Sequence, residues 1–595
     1  MFSRLRPAAA TAAALLITLY GGLLRLDTFT ARYGTLDRPA WARLMTHNVA
    51  PLARGVRPAG VVWGREEHPY VGGDPINYLA FARAMTNFYQ PHVREPGFLA
   101  LTRVSLWALD QQDAAVSLAS AIGSMLAIFA TYLLGAALIS PLGGLAAALI
   151  IAIDYQVITW SVDGWRDDTF TAMVLFAAWG FLRLRSQPSF GNALLTGFAA
   201  GAACLTRITA LSFIFPALLW LVIDGPRPLW RERARHASTA LLILAVVVAP
   251  YLISCAIATG DPLFAINYHT VYYRAAEGLR APEPMSAGEY LRSRFAQHPV
   301  ATMDIGVTGL FVQPFVTKFA GLDIWLKALG PALWWLALAG VLSLPFSASG
   351  RLLLVILVCS LLPYAFTWNL GGGGEWRFTM HAYPFYVVAA MYALAGVCRA
   401  VIALVRDPSR ARRPAAVPIA GRAVAVLVIA ALAAAGYAAL PWFVAREAML
   451  KGESVSFETG GRDRVFYRTG WSPPHKDGIT VRVSRGERSS VHFPLPAKRT
   501  YELMLRLDPV APGSQDRVAV LFNRQMAGLI HLQWNPERVG SYRMELPERM
   551  VREGSNELTL VPESVVTAGA AGPRFAWLDP AEKIGVRLWY VRVVR

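Results

Sequence analysis

Five short segments of this 595-residue chain concentrate residue types able to do chemistry. Residues 72–84 read GGDPINYLAFARA and carry Asp74 and Tyr78. Residues 92–98 read HVREPGF and carry Arg94 and Glu95. Residues 159–168 read TWSVDGWRDD, with Asp163, Arg166, Asp167 and Asp168. Residues 260–274 read GDPLFAINYHTVYYR, with His269 among tyrosines, and residues 369–380 read NLGGGGEWRFTM, with Glu375 and Arg377. Carboxylates accept protons or cations, and guanidiniums present a fork of donors to anions. Asp74-Pro75 is also a strong helix start, since Asp caps and Pro suits the first helical position. Asp74 therefore either opens a helix or does chemistry, and the two are compatible. Asp167 and Asp168 suit the positive end of a helix beginning near Thr169. Asp163 lies too far upstream for that role. Asp74, Asp163 and His269 make a divalent metal conceivable, although no ligand spacing supports one.

These residues sit between long apolar runs. The chain is 55% hydrophobic and only 16% charged, with a mean hydropathy of +0.39. A soluble chain carries about 25% charge, so a polytopic membrane protein is expected. Eleven runs have near-spanning length: 8–24, 114–138, 142–158, 169–184, 191–206, 209–223, 238–256, 328–346, 352–368, 381–398 and 423–441. The first is expected to be an uncleaved anchor rather than a signal peptide. A cytoplasmic N-terminus puts RLRSQ, PRPLWRERARH, SGR and the arginine-rich 399–422 stretch inside, as the positive-inside rule requires. This also accounts for the net charge of +18 without a nucleic-acid partner. The segments 25–113, 159–168, 207–208, 257–327 and 369–380 then fall outside, so most of the acidic constellations share one face. Arg207, outside and at the end of a span, runs against the basic trend. The four cysteines (Cys204, Cys255, Cys359, Cys398) lie in apolar runs and read as small core residues.

The first outer loop, 25–113, is too long for a connector. Within it Ile76, Leu79, Ala80 and Ala84 share a helical face, and Leu99–Leu109 is apolar but too short to span. Both read as amphipathic interfacial helices. Beyond residue 441 the pattern changes to short alternating runs: 479–484, 489–494, 500–508, 517–523, 527–533, 541–546, 556–561 and 584–594. Turn signals separate them, which predicts a β-sandwich over 442–595. Its bland role is a lid or scaffold; its sharper role is glycan binding through exposed Trp471 or Trp534.

The order of the motifs resembles the GT-C superfamily of integral-membrane glycosyltransferases. Within it the chain looks most like the family of protein O-mannosyltransferases and aminoarabinose transferases. GDPINYLAFAR, HVREPGF, SVDGWRDDTF, GFAAGAACLTRITAL and EWRFTMHAYPF follow in the family's order over about residues 1–400. Two departures stand out: one acid at position 74 where many relatives have a pair, and Arg-Glu-Pro-Gly at 94–97 in place of Lys and two prolines. LFNRQMAGLIHL and LPERMVREGSNELTLV resemble the jelly-roll domains of carbohydrate-binding modules.

The resemblance implies a GT-C transmembrane catalytic domain over 1–441. It implies an outward-facing transferase that moves a sugar from a polyprenyl-phosphate donor to an acceptor hydroxyl with inversion. Asp74 would be the general base and Asp163 a second catalytic acid. Tyr78, Arg94, Glu95, Arg166, Asp167, Arg207, His269, Glu375 and Arg377 would bind substrate, the arginines holding the leaving phosphate. The acceptor would be a glycan, lipid or protein, and the setting a bacterial inner membrane with the C-terminal domain extracytoplasmic. Two rivals predict other features. A transporter or flippase of lipid-linked sugar calls for an inverted repeat and charges deep within spans. A glycan-binding scaffold leaves the 25–113 loop without a purpose.

Overall fold

The computed structural model describes residues 7–33, 73–109, 112–225, 227–280, 282–319, 330–370, 376–406, 416–477, 479–510, 517–532 and 539–594. Glu375, the glycine run 371–374, Trp534 and residues 34–72 of the first loop lie outside the described residues. Packing divides the chain into two units: Met1–Arg292 with Ile305–Ala416, and Ser293–Asp304 with Val417–Arg595.

The first unit is a helical bundle. All eleven apolar runs are helical. Among the described residues, seven helices of the whole chain are long and apolar enough to cross a membrane, and four shorter apolar helices accompany them. Helix starts follow local chemistry: Ser140, Ser189 and Ser347 each accept from a backbone amide three residues on. The predicted span 142–158 is broken. Pro141–Ile153 ends at Asp154, whose carboxylate accepts from the Val157 amide and opens a second short helix, Tyr155–Trp160. Asp154 also receives the Tyr383 hydroxyl at 2.6 Å.

Acid and base residues separate along the bundle. The helix Asp167–Ser186 starts with two aspartates and ends with Arg183 and Arg185. At that basic end Asp224 holds Arg185 at 3.2 Å and Arg351 at 2.9 Å. The helical stretch Pro299–Phe319 meets the length and composition of a span, yet the contacts of residues 305–319 argue against a crossing. The Ile305 carbonyl accepts from the Trp368 indole at 3.0 Å, while Phe319 meets Tyr383 at 5.9 Å. Trp368 and Tyr383 flank one connection between neighbouring helices, Ala348–Ala365 and Ala382–Arg406. This part of the helix therefore lies along one end of the bundle, consistent with its place in the predicted outer segment 257–327.

The second unit joins the helix Ala416–Leu450 to two antiparallel sheets. The strands are β1 Val455–Glu458, β2 His475–Asp477, β3 Ile479–Arg485, β4 Ser489–Leu495, β5 Tyr501–Pro509, β6 Arg517–Phe522, β7 Gln525–His531, β8 Gly540–Leu546, β9 Gly554–Pro562, β10 Val566–Thr567 and β11 Lys583–Val594. One sheet runs β2-β3-β11-β5-β8, with β1 and β10 also on β11; the other runs β4-β9-β6-β7. Strand β5 buries Tyr501, Leu503, Leu505 and Leu507, the alternation expected of a half-buried strand. Asn523 and Arg524, with φ of 49° and 69°, make the two-residue hairpin turn between β6 and β7. All eight predicted strands form; β1, β2 and β10 were too short to read from alternation.

Trp471 is a core residue here, and its indole donates to the Ser490 carbonyl at 2.9 Å. This removes Trp471 from the sharper, glycan-binding alternative and fits the bland one. Ala445 and Met449 of the long helix enter the same sandwich core. On that helix Glu447 accepts from the Val300 and Ala301 amides, at 3.1 and 2.9 Å.

Candidate active site

The helix Asp74–Ala84 begins after Gly73, whose φ of 67° suits glycine, with Pro75 in its first turn. Asp74 makes no side-chain cap bond, which corrects the capping expectation. Its carboxylate instead meets two arginines, Arg94 on Oδ1 and Arg377 on Oδ2, both at 3.3 Å. The helix buries Pro75, Tyr78, Leu79 and Ala82, while Ile76 is exposed. The inward face is thus one residue round from the apolar stripe. In a bundle with apolar surroundings, Ile76 gains nothing by turning inward. Tyr78 packs edge-on against Phe98 at 5.3 Å and lies 5.7 Å under Arg94.

The next helix, Pro96–Ala108, sits on the end of Phe190–Thr206 because Gly97 has no side chain. A Cβ there would lie 2.8 Å from the Leu205 carbonyl oxygen. That approach carries Glu95 to both Arg166 and the Ile208 amide, the latter at 2.8 Å. Glu95 is buried. Burial pushes its carboxyl up, but Arg166 and the Ile208 amide more than offset this and hold it below the usual range.

Arg207 is extended between the helix Phe190–Thr206 and the turn Ile208–Ala210. It pairs with Asp167 at 2.9 Å, although without hydrogen-bond alignment, and donates to the Tyr364 hydroxyl at 3.0 Å. Asp167 and Asp168 stand in the first turn of their helix, at its positive end as expected, although no side chain caps it. Asp168 accepts from Ser120 at 2.9 Å. Both acids are buried, and a buried carboxylate forms stronger bonds with a cation or hydroxyl than with a solvated helix end.

His269 completes the cluster. Its Nδ1 lies 2.6 Å from the Ala265 carbonyl, which fixes the proton on that nitrogen. Nε2 therefore accepts from Arg94, at 2.5 Å. Burial and the Arg94 charge push the imidazole down to about 4, so it is neutral at pH 7. Asp74 shows the opposite balance. Burial raises its carboxyl, yet Arg94 and Arg377 draw it below the ordinary aspartate range.

A cavity of about 320 Å³ opens beside this cluster; Tyr78, Asp167 and Arg377 are not among its lining residues. Its polar lining includes Asp74, Arg94, Glu95, Arg166, Arg207 and His269, and its apolar lining includes Leu211, Leu362, Pro363 and Phe366. In the cluster four guanidiniums (Arg94, Arg166, Arg207, Arg377) face three carboxylates (Asp74, Glu95, Asp167), leaving one net positive charge. Asp163 is not part of the cavity lining and instead pairs with Arg32. Tyr364 and Arg32 were not foreseen, since nothing in their spacing set them apart from other residues near span ends. Among the described residues, no group of three His, Cys, Asp or Glu is placed to hold a metal. The conceivable trio is committed elsewhere, with Asp74 and His269 facing arginines and Asp163 paired with Arg32.

Fold and site together define a multi-pass membrane protein that gathers arginine–carboxylate pairs at one end of an apolar bundle. The family model for dolichyl-phosphate-mannose-protein mannosyltransferase matches residues 93–253, in agreement with the GT-C resemblance. That stretch holds Arg94, Glu95, Asp163, Arg166, Asp167 and Arg207; Asp74, His269 and Arg377 lie beyond it. No protein of curated function matches the chain. Among solved structures, the oligosaccharyltransferase of Archaeoglobus fulgidus in complex with Zn and sulfate is 16% identical, with a TM-score of 0.38, over 70% of this chain and 51% of that one. ArnT from Cupriavidus metallidurans bound to undecaprenyl phosphate is 15% identical, with a TM-score of 0.38, over 55% and 56%. A family 35 carbohydrate-binding module from an environmental isolate is 15% identical, with a TM-score of 0.16, over 24% and 93%. The chain spans about half the length of the two transferases it matches.

Proposed function

We propose that this chain is an inverting membrane glycosyltransferase that uses a polyprenyl-phosphate sugar donor. The observation that carries this reading is Asp74, an ionised carboxylate lining a cavity together with arginines and apolar side chains. The arrangement suits a lipid phosphodiester, with its single negative charge against the cluster's net positive charge and its hydrocarbon against the apolar lining residues. Asp74 takes the acceptor hydroxyl proton as the oxygen attacks the anomeric carbon. The bond from that carbon to the phosphate oxygen breaks on the opposite face, and its electron pair leaves with the phosphate. The new charge falls to Arg94 and Arg377, with Arg166 and Arg207 behind them.

The site faces the extracytoplasmic side in this reading, because Arg183, Arg185 and Arg351 mark the other end. The setting is a bacterial inner membrane, and the acceptor is a glycan, lipid or protein hydroxyl. The GT-C match over residues 93–253 supports the reading, and Asp163 takes a peripheral place in it. The test is purified protein in liposomes with a panel of polyprenyl-phosphate sugars, following release of polyprenyl phosphate. Transfer with inverted configuration is expected. Movement of the lipid across the bilayer without release, or binding alone, would replace this reading with a flippase or a scaffold.

A further inference from the structure

Lys318 is one of the largest fully buried side chains in the molecule. Its ammonium donates to the Trp376 carbonyl at 2.6 Å and to the Thr379 hydroxyl at 2.7 Å, and it lies 4.7 Å from the Trp376 ring centroid. Trp376 and Thr379 are the two ends of a single short 3₁₀ turn, Trp376–Thr379, and Arg377 stands between them. From that turn the Arg377 guanidinium stacks on Trp165 at 3.6 Å and reaches Asp74 at 3.3 Å. A four-residue 3₁₀ turn has few bonds of its own, and its hydrogen-bond geometry is poorer than that of an α-helix. Filling the space under it needs only an apolar side chain. Burying an amine there costs free energy unless its donors are used, and here two of them hold the two ends of the turn. The helical stretch that delivers Lys318 contains a wide π turn, Thr308–Val312, a feature frequent at functional sites.

We propose that Lys318 is a positioning residue: it pins the Trp376–Thr379 turn and so sets the reach of Arg377 to Asp74. The inference rests on the proposed transferase reading for its consequence, but its structural content is independent of that reading. Two measurements on the full-length protein test it. The first is hydrogen exchange in detergent. Lys318→Met is expected to speed exchange of the amides of residues 377–380 about tenfold or more, with the helix Ala115–Leu138 unchanged. Thr379→Val, which removes one acceptor and keeps the lysine, gives a smaller change in the same amides. The second is a double-mutant cycle on sugar transfer. Lys318→Met alone costs about 10²-fold, the usual loss for a shift of about 1 Å in a reacting geometry. In an Arg377→Ala background the same substitution costs less than about twofold, because coupled residues are not additive. Unchanged exchange in residues 377–380 with both variants, or equal losses in the two backgrounds, overturns the proposal. Wild-type protein that transfers no sugar overturns the transferase reading instead, and the exchange arm still decides the role of Lys318.

Discussion

Asp74→Asn separates the two roles first open to this residue. Asn keeps the size and polarity of Asp and loses only its charge and basicity. The side chain makes no cap bond, so no helix start is lost. Its two arginine contacts are both 3.3 Å long, outside the 2.7–2.9 Å of strong charge-assisted bonds. The carboxylate is also 29% exposed. Each contact is therefore worth no more than about 1 kcal/mol, the upper end for screened pairs. The folded state should lose at most about 2 kcal/mol, and Tm should fall by only a few degrees. Loss of a general base costs about 10²–10⁴ in rate. Initial transfer rates at saturating donor, with thermal melts of the same preparations, check both numbers. Polyprenyl-phosphate binding should persist or tighten, because two guanidiniums lose their competing anion. A near-wild-type rate in a folded Asp74→Asn protein would refute the argument.

The pH profile gives a second handle on the same residue. The arginines depress the Asp74 carboxyl, so its acid limb lies below the ordinary aspartate range. Arg377→Ala removes one stabilising charge and must move that limb to higher pH. The same depression stabilises the fold above the unfolded carboxylate range, and this contribution is lost as pH falls through the depressed value.

Four further outcomes follow from named residues. His269→Phe removes the acceptor for Arg94 and should raise the donor KM about 10- to 100-fold, from the ~1.5–3 kcal/mol of a bond to a charged group; His269→Gln should lose less. The folded imidazole resists protonation down to about 4 while the unfolded one takes a proton near 6.5. Melts should therefore show stability that is full above pH 6.5 and falls toward pH 4, by on the order of 2 kcal/mol once partial exposure is discounted. Glu95→Ala leaves Arg166 buried without its carboxylate and should cost about 3–5 kcal/mol in denaturant unfolding, with Glu95→Gln milder because it still accepts from Ile208. Trp471→Ala should destabilise the β-sandwich by about 3–5 kcal/mol and leave any glycan binding by the remaining folded protein intact.

The bundle was legible because spans are long and a lipid core demands continuous apolar runs. The sandwich was legible because β5 alternates over residues 501–507 and β9 over residues 556–562. Individual pairings were not. Asp163 and Asp167 lie four positions apart in one acidic loop, and sequence alone offers no reason to send one to Arg32 and the other to Arg207. Those partners are 131 and 40 residues away, so the choice belongs to tertiary packing. Asp74 misled in a specific way. Asp-Pro is a good helix start by local rules, and a helix does start there, but the side chain obeys the two distant arginines. Lys318 carried no signal at all, since a lone lysine near an apolar run reads as an ordinary interface anchor.

The arginines divide by how they are held, and the division argues for which of them works. Arg166 and Arg207 are buried and paired with the buried carboxylates Glu95 and Asp167; Glu95 also accepts from the Ile208 amide, and Arg207 donates to the Tyr364 hydroxyl. Breaking such a pair costs several kcal/mol, more than one incoming phosphate contact returns. Arg94 and Arg377 instead share the partly exposed Asp74 carboxylate at 3.3 Å, and they also meet the neutral His269 and the Trp165 ring, respectively. A phosphodiester competes with Asp74 for both guanidiniums, and their turning from Asp74 to the phosphate removes the charges that hold its carboxyl low. Donor binding would then raise the proton affinity of Asp74 at the moment an acceptor hydroxyl needs a base. Arg166→Lys should therefore mainly lower stability, whereas Arg94→Lys should mainly lower transfer. If both substitutions act on stability alone, the division between structural and working arginines is wrong.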